Sequence, residues 1–345
     1  MAEISDNDRH IVDGISDLLD GSGGLKRVRK LQEGSLSFDR EAWGKLASLG
    51  WLGAAVPEAQ GGTGLAMREI ALLLEHAGKR LMPEPLVLAL AGSRILAALG
   101  SPLLADVLAG KLIAVPVEAA IDGVTSYVSD GHVGDVFLAL IGDQAYAIAR
   151  KTPGVTVESE ETVDGGSITR LRLAQVKPTD LTLLAKGEVA IAAFREAQDL
   201  ARLGYAALLT GLMDQALQMT VQYMKDRKQF GVPIGSFQAL QHRAASLYVV
   251  IKASRALLYE ACRAVPPRRT IAALAAKSYA SETAMQTVKE CVALHGAMGY
   301  TAEHDMSLFF RRAMALSVAG GDAVSCRKLL HAESAQLQEM TGSSR

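Results

Sequence analysis

The chain has 345 residues, of which 49% are hydrophobic and 21% charged, and its formal net charge is −1. This length suits two or three domains or one large helical body. The near-neutral charge argues against nucleic acid and membrane surfaces as partners, and three cysteines without a CxxC pair indicate thiols of a reducing cytoplasm.

The N-terminal third reads as helices joined by short loops. The sequence MAEISDNDRH that opens it is polar and acidic, which predicts no signal peptide. A helix over Glu41–Leu49 is expected to place Trp43, Leu46 and Leu49 on one side. The apolar stretch Leu86–Leu104 is interrupted by Gly92, Ser93 and Arg94, so it predicts a buried helix and no membrane insertion.

A glycine-rich segment, Gly50–Leu65, predicts a long ordered loop. It contains no GxGxxG or Walker pattern, so by itself it is weak evidence for phosphate binding. The following pattern, Met67–Leu81, predicts a helix with an apolar stripe. Glu69 and Glu75 on this helix point in different directions, which favours solvated flanks of the stripe over a catalytic pair.

The middle of the chain has the period of β-strands. Short β-rich runs separated by Gly and Asp turns predict a small antiparallel sheet domain. The runs are Val124–Val128, Val136–Ile141, Gln144–Ile148, Val155–Val157 and Ile168–Leu173.

The C-terminal half has the pattern of long helices. Ala197–Phe230 is apolar on most sides, and three further helical patterns follow, over about 240–258, 270–294 and 305–337. Four long helices with short connections predict a bundle.

The segment Tyr223–Leu240 combines a cation, an amide and an aromatic ring at a helix end. Arg227 suits phosphate oxygens, Phe230 suits stacking on a flat ring system, and Gln229 suits ring edges. A Gly/Pro turn follows, and Ser236 is expected to act as the N-cap of the next helix. The alternative is a capped helical hairpin whose basic end complements the helix dipole.

Three stretches resemble the acyl-CoA dehydrogenase family. Residues 227–238, RKQFGVPIGSFQ, are similar to the family signature RxQFGxPIxxFQ. The loop 50–65, GWLGAAVPEAQGGTGL, resembles the family's LGWLG…VPEEYGGxG, and residues 294–304, LHGAMGYTAEH, resemble QLHGGxGYTxEH. Ala293 and Ala297 depart from the last pattern, and alanine adopts positive φ less readily than glycine.

The resemblance implies a mainly α protein with a small central β domain. Its parts would be an N-terminal helical domain (1–111), a reduced β-barrel domain (112–190) and a C-terminal four-helix bundle (191–345) that mediates association. FAD would be shared at a subunit interface, with Arg227 at the pyrophosphate. The remaining cofactor-contacting residues would be Gln229, Phe230 and Gln238, and Leu294, His295 and Gly296 at the ADP part. Packing of His295 at a helix end, without a ligand, is the alternative for that residue.

The β domain departs from the family pattern. The usual TEPxxGSD stretch and the GxK turn that follows it are missing, and only about 24 residues separate Lys111 from Asp135, roughly half of the usual length. We therefore expect the part of the barrel that faces the flavin to be cut down. The ring would be left exposed or covered by something else.

The glutamate base of the family is also missing. Gly320 stands at one of its two usual positions and Ala201 at the other, and neither residue can take a proton. Asp322, Asp199 and Glu196 lie nearby. A displacement of two residues on a helix turns a side chain by about 200°, which favours a missing base over a relocated one.

A chain with a reduced barrel and no base resembles the smaller, non-catalytic subunit of heteromeric bacterial acyl-CoA dehydrogenases of steroid side-chain breakdown. The resemblance implies a larger acyl-CoA dehydrogenase subunit as partner in a heterotetramer, a bulky acyl-CoA substrate, electron-transfer flavoprotein as acceptor, no metal and a bacterial cytoplasm. Two alternatives are a self-sufficient dehydrogenase with Asp322 or Asp199 as base, and a flavin-free structural subunit.

Overall fold

The computed structural model describes residues 6–21, 23–32, 38–117, 124–125 and 127–342. The predicted N-terminal helices are confirmed. They are α1 (Asp6–Gly21), α2 (Gly24–Gln32), α3 (Arg40–Ser48), α4 (Met67–Lys79), α5 (Leu86–Ala98) and α6 (Leu104–Leu108). The glycine-rich segment is a loop, as expected, with two 3-10 turns at Trp51–Gly53 and Glu58–Gln60.

Helix α3 begins where Asp39 caps it, because the Asp39 Oδ1 accepts hydrogen bonds from the backbone of Glu41 and Ala42, both at 3.0 Å. Trp43 and Leu46 are buried as expected. The prediction that Leu49 shares their face is wrong: Leu49 follows the helix as its C-cap and is 45% exposed.

The expectation that Glu75 is a solvated flank of α4 is also wrong. Glu75 is only 4% exposed, and it accepts hydrogen bonds from Arg255 at 2.8 and 2.6 Å and from the Tyr259 hydroxyl at 3.1 Å. A Cβ on Gly211 would overlap the Glu75 carbonyl oxygen, so the helix carrying Gly211 passes very close to α4. The carboxylate is buried because it has charged and neutral donors of its own.

The β region contains two sheets, where one antiparallel sheet was predicted. The strands are β1 (Ala114–Val117), β2 (Val128–Ser129), β3 (Val136–Ile141), β4 (Gln144–Ala149), β5 (Val155–Glu161), β6 (Ser167–Leu173) and β7 (Thr182–Lys186). The first sheet has the order β1-β3-β4-β7 and the second β2-β6-β5. β1 pairs with β3 in parallel from Ala114↔Val136 onward, and the other pairs in these sheets are antiparallel.

Strand β1 was missed because it is short and contains Pro116, which cannot donate to a ladder. Pro116 is tolerated in this strand because the strand lies at the sheet edge. The predicted strand Val124–Val128 is reduced to an isolated bridge between Val124 and Arg172, with β2 beginning at Val128. Residues 118–123 and 126, which belong to the shortened stretch after Lys111, lie outside the described residues.

The C-terminal helices follow the predicted order with two corrections. They are α7 (Glu188–Asp226), α8 (Gln238–Arg263), α9 (Arg269–His295), α10 (Met306–Val318) and α11 (Ala323–Gly342). The helix predicted over Ala197–Phe230 begins at Glu188 and ends at Asp226, before Phe230. The predicted fourth helix is two helices, because Gly320 (φ 68°) and Gly321 (φ 105°) take left-handed conformations that end α10.

The chain forms two compact units. One contains Met1–Lys30, Ala71–Met82 and Arg202–Arg345, and its core lies among α7 to α11. The other contains Leu31–Ile70 and Pro83–Ala201, where a Cβ on Gly92 of α5 would overlap the Ala114 carbonyl oxygen of β1. The mainly helical fold with a small sheet region is confirmed, and the three residue-range domains stay a prediction. Across the described ranges, none of the helices combines the length and hydropathy of a bilayer span.

Candidate functional site

The segment after α7 is a small β-hairpin that presents Phe230 at its tip. Strands β8 (Lys228–Gln229) and β9 (Val232–Pro233) pair through Lys228↔Pro233 and Gln229↔Val232. The two loop residues, Phe230 (φ 53°) and Gly231 (φ 80°), both have positive φ, as a type I′ turn requires. Phe230 is 93% exposed. A bulky residue in a left-handed conformation is strained, and such strain is typical of functional positions.

Ser236 is not the N-cap that the sequence predicts. It lies in a 3-10 turn, Ile234–Ser236, and its hydroxyl donates to the Pro233 carbonyl oxygen at 2.7 Å. Helix α8 begins at Gln238, and Phe237 is its N-cap. The chain enters α8 through this turn, and the Phe237 ring meets the Phe230 ring edge-on at 6.2 Å.

Two guanidinium groups line a cavity of about 310 Å³ next to this hairpin. Arg227 follows the last residue of α7, is exposed, and has no ion pair within the described residues. Arg243 on α8 is ion-paired with Glu290 of α9. The volume is at the lower end of the range of small-ligand sites, and two cations in one cavity suit an anionic ligand.

The other wall of the cavity is the end of α9. His295 is 2% exposed, its Nδ1 donates to the Cys291 carbonyl oxygen at 2.8 Å, and its ring stacks on Tyr223 at 4.5 Å. Burial lowers the pKa of His295 below its ordinary value. The hydrogen bond to the Cys291 carbonyl oxygen raises this pKa, and the charge of His304 lowers it further. The imidazole is therefore neutral at pH 7.

The first residue of the turn after α9 has a backbone conformation that favours glycine. Gly296 has a φ of 61° and ψ of −143°, and a Cβ there would meet open space. Ala297 does not have positive φ, so the alanine that replaces a family glycine causes no strain at that position.

The structure brings together five of the predicted residues and leaves two outside the cavity wall. Arg227, Gln229, Leu294, His295 and Gly296 line the cavity. Phe230 lies at the hairpin tip and Gln238 is exposed at the start of α8. Sequence reasoning missed Tyr223, which lies one helical turn before Arg227, and Arg243, which lies one turn after Leu240. The helical spacing of these pairs is a signal that could have found them.

Gly320, one of the two positions at which the resemblance would place the base, has no room for a side chain. A Cβ on Gly320 would lie 2.8 Å from Cδ2 of the buried Tyr205, and the φ of 68° also disfavours a side chain. Below the turn, the fully buried Lys277 donates to the carbonyl oxygens of Ser317 at 3.1 Å and Gly321 at 2.8 Å. Burial lowers the pKa of Lys277 to about 8.

The nearby acids are engaged or buried. Asp322 Oδ1 accepts from the backbone of Val324 and Ser325 at 2.8 and 3.0 Å, which makes it the cap of α11. The hydroxyl and backbone bonds from Ser325 lower the pKa of Asp322, and a lower pKa makes a weaker base. Asp199 is buried, and Glu196 is paired with Arg94 at 2.8 Å.

Comparisons with known proteins agree with these observations. Residues 5–106 match the model "Acyl-CoA dehydrogenase, N-terminal domain", and residues 191–333 match "Acyl-CoA dehydrogenase, C-terminal domain". The chain is 32% identical over 308 residues to acyl-CoA dehydrogenase IpdE2 of Mycolicibacterium smegmatis, covering 87% of this chain and 89% of IpdE2.

Two similar solved structures have the same fold over nearly the whole chain. One is a chain of the ChsE4–ChsE5 complex from Mycobacterium tuberculosis, with a TM-score of 0.84, 26% identity and coverage of 96% of this chain and 98% of that one. The other is a variant of the Tcur3481–Tcur3483 steroid ACAD, with a TM-score of 0.83, 25% identity and coverage of 99% and 100%.

Proposed function

Because this chain belongs to the acyl-CoA dehydrogenase family, and is therefore an FAD-dependent enzyme, we propose that it works as the base-lacking smaller subunit of a heteromer. A larger acyl-CoA dehydrogenase subunit supplies the catalytic carboxylate and most of the flavin-ring site. This chain completes the FAD site from across the subunit interface. The assembly is a heterotetramer that passes electrons to electron-transfer flavoprotein.

The observation that carries this proposal is the closed position at Gly320. The Tyr205 ring occupies the space in which a side chain at Gly320 would begin. Asp322, the acid closest in sequence, caps a helix and has a lowered pKa. These features support a chain that leaves proton abstraction to its partner, because a general base must reach the substrate and hold a pKa matched to its task.

The residues around the cavity fit the diphosphate half of FAD. The guanidinium groups of Arg227 and Arg243 would bind the two phosphates, and the open space at Gly296 allows a close approach to the backbone. The exposed ring of Phe230 would contact the cofactor together with Gln229 and Gln238. FAD, when bound, accepts the hydride that leaves the β-carbon of the acyl group.

The likeness to a chain of the ChsE4–ChsE5 complex and to a steroid ACAD supports both the heteromer and the substrate class. We propose a bulky CoA thioester with a steroid side chain as substrate, a bacterial cytoplasmic location, and functional domains at 1–111, 112–190 and 191–345. The bundle domain carries the cofactor residues and the subunit interface in this proposal.

Flavin stoichiometry tests the proposal. The full chain is purified alone and co-expressed with a larger acyl-CoA dehydrogenase subunit, and bound FAD is quantified. We expect no FAD on the chain alone and a stoichiometric amount in the complex. Arg227→Ala should weaken FAD retention by the complex roughly 10- to 100-fold, because a charge-assisted bond to phosphate is lost.

The matched control is Lys225→Ala, which removes an exposed cation from the same helix end without touching the cavity. A full complement of FAD on the chain alone would contradict the heteromer. FAD content that ignores Arg227→Ala would contradict the assignment of this cavity and favour the flavin-free structural subunit.

A further inference from the structure

One residue that lines the cavity, His295, has a buried hydrogen-bond acceptor without a partner within the described residues. A carbonyl oxygen can only accept, so the bond between His295 Nδ1 and the Cys291 carbonyl oxygen places the imidazole proton on Nδ1. In the neutral ring, Nε2 then carries a lone pair. That atom is buried and makes no hydrogen bond to any described residue, which is costly unless a ligand or water provides a donor.

The groups around the ring do not supply that donor. The Tyr223 ring is stacked on the face of His295, with the centroids 4.5 Å apart and the planes at 28°. His304 lies edge-on at 4.7 Å, and its Nδ1 accepts from the Met306 backbone at 3.1 Å, so a neutral His304 carries its proton on Nε2. That N–H makes no hydrogen bond to Nε2 of His295. The imidazole is therefore fixed in one tautomer and one orientation, as a preorganised acceptor.

The chemistry of this acceptor divides the nucleotide into parts that it can and cannot bind. Phosphate oxygens are acceptors at neutral pH, so a bare Nε2 cannot bond to them. Arg227 and Arg243, which carry donors, line the same cavity. The groups of an adenosine diphosphate that can donate are the ribose hydroxyls and the adenine amino group.

We propose that Nε2 of His295 accepts a hydrogen bond from such a donor, a ribose hydroxyl or the adenine amino group, of the nucleotide half of the cofactor. This inference rests on the proposed function. It assigns recognition of the nucleoside to one atom, Nε2 of His295, whereas the diphosphate is bound by other residues. The Cys291 carbonyl oxygen acts through His295, because it holds the tautomer that leaves Nε2 free.

Binding of ADP to the assembled complex, prepared without FAD and titrated by calorimetry, tests the inference. His295→Phe keeps an aromatic ring against Tyr223 and removes the acceptor. We expect ADP binding to weaken roughly ten-fold, as for a lost hydrogen bond at a buried site. His295→Gln offers an amide oxygen at a similar reach and should recover part of the loss. His331→Phe, at an exposed position of α11, is the matched control and should not change binding.

Modified nucleotides distinguish the two donors. If the adenine amino group is the donor, inosine diphosphate should bind the wild type as weakly as ADP binds His295→Phe, and the variant should bind both alike. If a ribose hydroxyl is the donor, 2′-deoxy- or 3′-deoxy-ADP should show that pattern instead. If each of the three analogues loses the same affinity relative to ADP in the wild type and in His295→Phe, the inference is overturned.

Two further results separate failure of the inference from failure of the proposed function. If Arg227→Ala weakens ADP binding and His295→Phe does not, the cavity binds the nucleotide but His295 makes no hydrogen bond to it. If ADP does not bind the complex, both fail. Independently, nitrogen-15 shifts of the imidazole in the full chain should report a proton on Nδ1 and none on Nε2, and a proton on Nε2 would overturn the inference.

Discussion

Phe230 holds a backbone conformation that favours glycine or asparagine. Its φ of 53° and the φ of 80° at Gly231 make the two-residue turn between β8 and β9, and its ring is almost fully in solvent. The chain alone gains little from an exposed ring in a strained conformation. The gain must come from what the ring touches in the complex, which is FAD in our proposal.

Phe230→Asn should therefore separate stability from function. Asn-Gly is a preferred sequence for a type I′ turn, so the substitution should raise the free energy of unfolding of the chain by about 0.5–1 kcal/mol. The same substitution should lower FAD retention by the complex, because the aromatic contact is lost. Urea denaturation of the chain and FAD quantification in the complex measure the two effects.

The matched control is Val232→Asn, which removes exposed apolar surface from the same hairpin at a position without positive φ. It should not stabilise the chain. If Phe230→Asn is destabilising, the strain argument is wrong.

At the residue scale, the sequence predicted the cluster but not all of its members. Arg227 and Gln229 were named from the chemistry of their run, and His295 from the resemblance of its run to a family pattern. Tyr223 and Arg243 were missed because each belongs to the cavity only through the packing of three helices, α7, α8 and α9. Glu75 was misplaced because its donors, Arg255 and Tyr259, lie about 180 residues away along the chain.

At the scale of elements, periodicity predicted the helices well and the sheets less well. Strand β1 pairs in parallel with β3, a contact that no local pattern encodes, and it contains a proline. The break between α10 and α11 was readable in principle, since Gly320-Gly321 ends a helix when both residues adopt positive φ. The apolar pattern on both sides of the break hid it.

The packing of α4 against α7 and α8 predicts a pH dependence of stability. Burial, with the charge of Lys79 as the next cause, lowers the pKa of His76 on α4 from 6.5 to about 4, although the charge of Glu75 opposes this. Between these values the unfolded chain takes up a proton that the folded chain does not. The free energy of unfolding therefore falls as pH falls from 6.5 to 4, and the fall stops below 4.

We expect this loss to be about 1–2 kcal/mol after discounting for the partial exposure of the ring. His76→Gln, which does not titrate, should flatten the difference between urea midpoints measured at pH 7 and pH 4.5. An equal pH slope in wild type and His76→Gln would contradict the prediction.

At the scale of the whole molecule, α8 has more apolar surface than its own unit buries. It buries a narrow stripe that includes Leu247, Ile251 and Leu258, while Tyr248, Val249 and Leu257 are exposed. Exposed apolar side chains grouped on one helix are typical of association surfaces. In the proposed heteromer, this face of α8 lies in a subunit interface.

Val249→Asp should weaken the complex and leave the chain intact. Val249 is 64% exposed, so the free energy of unfolding of the chain should change by no more than about 0.5 kcal/mol. A buried, unpaired carboxylate in the interface should weaken association about ten-fold or more. Light scattering after size exclusion of the co-expressed subunits measures this.

Val163→Asp, at an exposed valine of the other compact unit, is the matched control and should assemble normally. Normal assembly of the Val249→Asp chain would place the interface elsewhere.

The contact between Tyr205 and Gly320 would make the proposed reliance on a partner hard to reverse by mutation. A glutamate introduced at 320 meets the Tyr205 ring and an unfavourable φ, so that single step costs stability without yielding a usable base. Replacing Tyr205 first by a smaller residue leaves a cavity in a packed core and does not add a base. Each of the two steps is harmful until the other has been taken. In the proposed heteromer, single mutations would therefore not undo the division of labour between the subunits, and a designer seeking an autonomous enzyme would have to change both positions at once.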